Sequence, residues 1–300
     1  MKICVLMSTY NGEKYLTEQL ESIEHQNVEN LSIMIRDDGS VDGTNNLLSK
    51  WRKKTRLNCN ILFQENIGPA RSFMQLVEQA PEADYYAMAD QDDVWEKDKL
   101  KSAIDYLERG DKNIPTLYFS QVQLVDEKLN PLPTTKISPL CTFYESLIAH
   151  YATGCTFVFN RALLELVRQY KPSYISMHDL WLYNLCLAVG GNIYFDPMPH
   201  IKYRQHGNNV IGLSGGWKRS FLLRCQRTLN KECERSNTVL ELYKGYKEQI
   251  KPEYLPLVRH IVNYRNSVID LLRLIFNRKL RCSNVKTNLS MRIALLLHTY

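Results

Sequence analysis

Asp84-Tyr85-Tyr86-Ala87-Met88-Ala89-Asp90-Gln91-Asp92-Asp93-Val94-Trp95 passes abruptly from an apolar run into a cluster of acids. A short run of this kind, rich in aromatic and small residues, reads as a buried strand. With Glu96, the segment crowds together the four carboxylates of Asp90, Asp92, Asp93 and Glu96. Like charges repel and raise one another's pKa, and a divalent cation removes the conflict. Hard oxygen ligands suit Mg2+ or Mn2+. Side chains alternate along an extended segment, which points Asp90 and Asp92 the same way. The competing reading is a solvated acidic turn at the start of a helix near Glu96. The position directly after a strand favours the metal.

Outward from this stretch the chain alternates two patterns. Further β-rich runs occur at Ile3–Met7, Leu31–Ile35, Asn60–Phe63 and Thr116–Phe119. Between them lie helical repeats: Leu16, Leu20, Ile23; Ala70, Phe73, Met74, Val77; and Leu100, Ile104, Leu107. Each repeat has the spacing of one buried helix face. Strand–helix alternation predicts an α/β fold with a mainly parallel sheet covered on both faces. Ligands in such sheets lie beyond the carboxyl ends of the strands. Ser8-Thr9-Tyr10-Asn11-Gly12 and Arg36-Asp37-Asp38-Gly39-Ser40 hold that position after the first two strands, as the acidic cluster does after the fourth.

The familiar phosphate loops are missing. No G-x-G-x-x-G follows the first strand and no G-x-x-x-x-G-K-[ST] occurs anywhere, which argues against a dinucleotide-dependent dehydrogenase or a P-loop enzyme. Asp37-Asp38-Gly39-Ser40 is ordinary turn and helix-cap chemistry. One aspartate suffices for a cap, however, and a carboxylate at a strand end can accept the imide N–H of uracil or thymine.

From about residue 150 the pattern changes. Cys155–Asn160 reads as a strand, Arg161–Tyr170 and His178–Val189 as helices, and Asn192–Phe195 as a strand. Beyond Gly212 the chain reads as almost wholly helical, broken at Pro252 and Pro256, with Gly212–Gly216 as a hinge. Charge divides at the same place. Residues 212–300 hold 17 Lys and Arg against 6 Asp and Glu, whereas residues 1–211 hold 21 against 26. An acidic body joined to a basic tail suggests a tail that faces something anionic.

The eight cysteines are scattered without a C-x-x-C pair and read as reduced, mostly buried thiols. No run approaches the roughly 18 apolar residues of a membrane span, and no signal peptide is evident at Met1–Met7. The expectation is a cytoplasmic protein.

Six segments then fall in one order: Met7-Ser8-Thr9-Tyr10-Asn11-Gly12, Arg36 to Thr44, Asn66-Ile67-Gly68-Pro69-Ala70-Arg71, Asp90-Gln91-Asp92-Asp93-Val94-Trp95, His178-Asp179-Leu180-Trp181 and Tyr203-Arg204-Gln205-His206. The series resembles family 2 glycosyltransferases of the GT-A fold, and within them the rhamnosyltransferase-like branch of bacterial surface-polysaccharide synthesis. The match covers roughly residues 1–211, leaving 212–300 as a separate basic helical region. Residues 1–120 would then bind the nucleotide-sugar and 121–211 the acceptor.

The resemblance implies roles. Ser8, Tyr10 and Asp38 would hold base and ribose, with Asn11 and Asp37 beside them, and Arg71 would approach the donor. Asp90 and Asp92 would form the D-x-D, Asp92 being the principal ligand to Mn2+ or Mg2+ and His206 a further one. Asp179 matches the catalytic base, where many members have Glu-Asp; here His178 precedes it. His178 and Trp181 would face the acceptor, although Trp181 is equally readable as core, and His206 as a structural histidine. The implied reaction is inverting transfer from a dTDP- or UDP-sugar, with dTDP-L-rhamnose first among the donors. In such a transfer a carboxylate takes the acceptor's proton and a cation offsets charge on the leaving diphosphate.

The amphipathic stretches of 212–300, including Trp217, suit an anionic membrane surface, as a lipid-linked glycan acceptor on the inner leaflet would require. A helical cap on the catalytic domain is the alternative. No recognised nucleic-acid-binding module is present. Two other functions compete: a nucleotidyltransferase, disfavoured because Ser8–Gly12 carries no cations for a triphosphate, and a catalytically silent nucleotide-sugar-binding subunit.

Overall fold

The structure, a computed structural model, describes residues 1–207 and 233–300. A seven-stranded sheet forms the centre: β1 (Ile3–Thr9), β2 (Leu31–Asp38), β3 (Asn58–Gln64), β4 (Tyr85–Ala89), β6 (Thr116–Ser120), β8 (Val158–Asn160) and β9 (Asn192–Asp196). Its spatial order is β3-β2-β1-β4-β8-β6-β9. All neighbours run parallel except β8, which lies antiparallel between β4 and β6. β1 and β4 are buried along nearly their whole length, as strands covered on both faces must be.

The register aligns the carboxyl ends. Met7 pairs with Ala89, Thr9 with Asp37, and Asp38 with Gln64. One edge therefore presents Ser8–Gly12, Asp37–Ser40, the loop after β3 and Asp90–Asp93 side by side.

Helices α1 (Leu16–Glu24), α2 (Thr44–Arg52), α3 (Pro69–Gln79) and α4 (Lys99–Leu107) connect these strands. α1 buries Leu16, Leu20 and Ile23, and α4 buries Leu100, Ile104 and Leu107, as their spacing predicts. On α3 the buried face carries Leu76 with Phe73 and Val77, while Met74 is only half-buried. Pro69 opens α3 at a position where its missing N–H costs nothing. Gly68 before it has φ of +83°, a backbone state natural to glycine.

The expected strand from Cys155 is shorter. Gly154–Thr156 forms a 3-10 turn, its N–H groups at Thr156 and Phe157 bonding back to Thr153 and Gly154, and extended backbone begins only afterwards. A second sheet of three short strands escaped the sequence reading: β5 (Val94–Trp95), β7 (Gln123–Val125) and β10 (Ile201–Arg204), with β10 in the middle. Strands this short have no readable alternation.

Helices α5 (Phe143–Ser146), α6 (Arg161–Arg168) and α7 (His178–Ala188) precede, among the described residues, α8 (Glu234–Tyr246), α9 (Leu255–Asn263), α10 (Val268–Ile275) and α11 (Val285–Leu296). Pro256 lies in the first turn of α9, so it starts a helix rather than breaking one. The proposed hinge at Gly212–Gly216 and Trp217 lie outside the described residues.

The carboxyl-terminal helices share one apolar core with α3, α6 and α7. It joins Phe73, Leu163, Trp181 and Leu185 to Val239, Tyr246, Val258 and Tyr264. Polar ties reinforce the packing: Tyr246 donates to the carbonyls of Leu166 and Val167, and Tyr300 to that of Leu147. Glu241 of α8 accepts hydrogen bonds from Tyr170, from Ser173 twice, and from Lys244. These contacts fasten the segment that leads into α7.

Candidate active site

The loop after β1 and the turn after β2 are bound together. Asn11 takes a φ of +48°, donates its backbone N–H to Ser40, and accepts from the Val41 N–H. Asp37 is buried and accepts from Thr9 Oγ1, Ser40 Oγ and Ser40 N. Asp38 is buried too. It pairs with Arg36 and accepts the backbone N–H groups of Ile67 and Gly68, closing the β3–α3 loop over β2. Both aspartates therefore hold the shape of the edge. Ser8 shares a 2.6 Å hydrogen bond with Ser72 of α3. Tyr10 and Arg71 are exposed.

Gln91, passed over in the sequence, clamps the acidic loop to the first one. Its Oε1 accepts from Tyr10 N and its Nε2 donates to Tyr10 O. A side chain at Gly12 would collide with it, since a Cβ there would stand 2.2 Å from Gln91 Oε1.

Asp92 meets the end of the small sheet. His206 Nε2 stands 2.7 Å from Asp92 Oδ2. Two residues earlier, Arg204 is almost fully buried and reaches several groups around the same loop. Its Nε donates to Asp92 O, its backbone N–H to Asp93 Oδ1, another arm to Glu127 O, and a third to Glu18. Its guanidinium also lies over Tyr15 at 4.5 Å. Arg204 is thus the brace that fixes the acidic loop, a role that no local sequence pattern reveals.

Asp90 and Asp92 do not stand alone. Asp90, the fully buried Asp93 and Cys155 bring ligand atoms within 4.8 Å of one another. Burial first, then the charges of Asp92 and Asp179, push the Asp90 carboxyl up to about 7. Asp93 is raised well above the carboxylate range by burial and by the charges of Asp92 and Asp90. Lys99 sits nearby with its ammonium 3.8 Å from the Trp95 ring, and burial brings it down to about 7. Negative charge is costly here until a cation is supplied.

The donor set fits a divalent cation. An octahedral ion with ligands at about 2.1 Å holds adjacent ligand atoms about 3 Å apart. The Asp92–His206 separation of 2.7 Å needs to open by only a few tenths of an ångström. Asp92 and His206 would hold the ion, while the Asp90 carboxylate gathers with Asp93 and Cys155.

Asp179 occupies the first turn of α7, where the helix dipole favours an anion. Its Oδ1 accepts the Leu180 N–H at 2.6 Å, and its Oδ2 is 3.5 Å from His150 Nε2. Burial opposes its charge. His150, His178 and the Leu180 N–H outweigh burial and bring the carboxyl down to about 2. His178 is buried and stacked on Phe73 at 4.0 Å, and burial lowers its ring to about 4. Trp181 is 1% exposed and packs near Tyr246, so it is a core residue that no acceptor can stack on. The same burial removes His178 from direct acceptor contact. His150 was missed, because a lone histidine in an unpatterned segment carries no sequence signal.

Residues 4–168 match the family model described as Glycosyl transferase family 2. The chain belongs to this family. The dTDP-rhamnosyl transferase RfbG of Shigella flexneri is 31% identical over 234 residues, covering 72% of this chain and 76% of that protein. The putative teichuronic acid biosynthesis glycosyltransferase TuaG of Bacillus subtilis is 25% identical over 218 residues, covering 72% and 83%.

Among solved structures, S. aureus TarS residues 1–349 in complex with UDP superpose with a TM-score of 0.57 at 16% identity, covering 98% of this chain and 91% of that one. The mannosyltransferase PcManGT from Pyrobaculum calidifontis, in complex with GDP-Man and Mn2+, gives 0.56 at 16%, covering 100% and 81%. These likenesses establish the GT-A type of fold, and the family assignment establishes a glycosyltransferase. Among the described residues no helix is long and apolar enough to cross a membrane.

Proposed function

We propose that this glycosyltransferase moves L-rhamnose from dTDP-rhamnose, with inversion, onto a hydroxyl of a lipid-linked glycan in bacterial surface-polysaccharide synthesis. The observation that carries the reading is the convergence of Asp92 and His206, with the charge of Asp179 close enough to raise Asp90. A metal-ligating pair and an ionised base thus share one edge of the sheet. The 31% identity to a dTDP-rhamnosyl transferase supports the choice of sugar.

In this reading Ser8, Tyr10, Asn11, Asp37, Asp38 and Arg71 form the donor side. Asn11, Asp37 and Asp38 act mainly by holding the loops in shape, which leaves Tyr10 and Arg71 open to a ligand. Asp92, Asp90 and His206 would hold Mn2+ or Mg2+, which when bound would offset charge on the diphosphate. The imidazole in the set favours Mn2+ over Mg2+. Asp179 takes the proton of the acceptor hydroxyl as its oxygen bonds to the anomeric carbon. The bond from that carbon to the diphosphate oxygen breaks, and the electron pair leaves with the diphosphate. A carboxyl held near 2 is ionised at any physiological pH but is a weak base, so the proton moves only as the new bond forms.

The carboxyl-terminal helices supply the membrane contact in this proposal. Residues 255–300 hold eight Lys and Arg against one acid. Val268, Ile269, Leu272 and Phe276 of the α10 region and Val285, Leu289, Ile293 and Leu296 of α11 are exposed. Apolar stripes beside cations suit an anionic bilayer at its inner face.

Calorimetry tests the core of the proposal, with dTDP-rhamnose and several UDP-sugars, with and without Mn2+, on wild type and Asp92→Ala. Metal-dependent binding of dTDP-rhamnose, lost in the variant, is expected. Metal-dependent binding of a UDP-sugar instead would replace the donor. Donor binding that needs no metal and survives Asp92→Ala would sink the metal reading and leave a catalytically silent nucleotide-sugar-binding subunit in its place.

A further inference from the structure

We propose that His150 is the positioning residue for Asp179, its Nε2 holding the carboxylate toward the attacking hydroxyl; this rests on reading Asp179 as the base. The carboxylate has two oxygens and the helix directs only one. Oδ1 accepts the Leu180 N–H, and Oδ2 faces His150 Nε2 at 3.5 Å. Without the histidine, rotation of the carboxyl group would be limited on one side only.

The histidine is itself held in place. Its ring meets Tyr183 edge-on, with centroids 5.5 Å apart at 75°. Tyr183 lies one turn after Asp179 on α7, so the helix that carries the base also orients its partner. Backbone also packs against the carboxylate: a Cβ at Gly154 would stand 2.7 Å from His178 Nε2, 3.1 Å from Asp179 Cβ and 3.5 Å from Asp179 Oδ2. One segment, Leu147–Thr156, thus delivers both the histidine and the glycine that leaves room for the carboxylate.

Packing alone does not explain a histidine here. An apolar side chain would fill the space against Tyr183 equally well. The ring instead turns Nε2 to the carboxylate at 3.5 Å, and neither ring nitrogen makes a hydrogen bond among the described residues. Its side chain is 19% exposed, yet both ring nitrogens are buried. A separation of 3.5 Å is long for a hydrogen bond, and catalytic contacts commonly tighten when substrate binds. The other titratable groups facing Asp179 are His178, buried behind it, and Asp90 across the site.

The test uses the full-length chain and whichever of dTDP-rhamnose, UDP-glucose, UDP-galactose and UDP-N-acetylglucosamine the wild type turns over. His150→Ala, His150→Gln and Asp179→Asn are compared across pH, with donor binding and thermal unfolding measured alongside. The Ala variant is expected to lose about 10- to 100-fold in kcat, with donor binding intact. The acid limb of its pH profile should move to higher pH, since Asp179 has lost a donor. Gln places an amide N–H where Nε2 stood, so it should restore most of kcat. An Ala variant with wild-type kcat beside an inactive Asp179→Asn would overturn the role of His150 and leave the base reading standing. An active Asp179→Asn would overturn the base reading itself. Equal loss in Ala and Gln, with lowered thermal stability and an unmoved pH limb, would make His150 a structural residue only.

Discussion

His206 Nε2 and Asp92 Oδ2 stand 2.7 Å apart although 114 residues separate them along the chain. The contact exists because β10 runs beside β5 and β7, and Arg204 on β10 ties itself to the backbone of the acidic loop. The two side chains proposed to hold the metal are therefore set by a small sheet outside the main one. Its rigidity is the first thing to test.

Arg204→Lys should weaken the site without removing a ligand. Lysine cannot reproduce a fork that reaches Asp92 O, Glu127 O and Glu18 together. Loss of stability of about 2–4 kcal/mol is expected in urea unfolding. Metal-dependent donor affinity should fall by at least tenfold. Unchanged donor affinity would show that the brace does not set the ligand geometry.

Replacement of His206 by Ala should raise the Mn2+ requirement for donor binding, and Asp92→Ala should abolish metal-dependent binding altogether. Loss of one of two strong ligands commonly costs far more than loss of a supporting group. Titration of Mn2+ against each variant at constant donor gives the order directly.

Asp179→Asn should lower kcat by 100-fold or more while leaving donor binding intact. The amide keeps the size of the side chain but cannot accept the acceptor's proton. A variant with normal kcat would assign the base elsewhere.

Glu241 gives a pH-dependent prediction. Burial opposes its charge, but Lys244, Ser173 and Tyr170 outweigh it and bring the carboxyl down to about 2. The folded value lies below the unfolded one, so the unfolded chain binds more protons between about pH 4.5 and pH 2. The stabilisation is complete above that window and is lost as pH falls through it. Glu241→Ala should cost about 2–3 kcal/mol at neutral pH and flatten the acid limb of the stability curve. A variant as acid-sensitive as wild type would show that Glu241 does not govern that limb.

Membrane contact is checked with vesicles. The full chain should float with vesicles rich in phosphatidylglycerol and much less with phosphatidylcholine. A variant carrying Ile269→Ser, Leu272→Ser and Phe276→Ser should lose flotation and keep donor binding. Retained flotation would move the contact off α10, and a change of oligomeric state instead would mark the stripe as a self-association surface.

The strand–helix alternation made the main sheet readable, because buried strands and amphipathic helices differ in period and each leaves its period in the sequence. The acids at strand ends were readable for a related reason: charge directly after a buried strand is conspicuous. What remained closed were residues whose meaning depends on distant partners. Gln91 and Arg204 look like ordinary polar residues until the fold sets them against Tyr10 and Asp92. Trp181 shows the reverse case, since an aromatic near a catalytic carboxylate suggests stacking and only the packing of α8 on α7 puts it in the core.

By itself the sequence determined the α/β architecture and the edge of the sheet where the acids Asp90 and Asp92 gather. Local periodicity and local charge suffice for that, because neighbours in the chain are neighbours in a strand or helix. Tertiary structure alone decided that His206 closes on Asp92, that His150 faces Asp179, and that Asp37 and Asp38 hold the loops in shape. Those relationships join segments far apart in the chain, and no local pattern records a contact that only the folded chain makes.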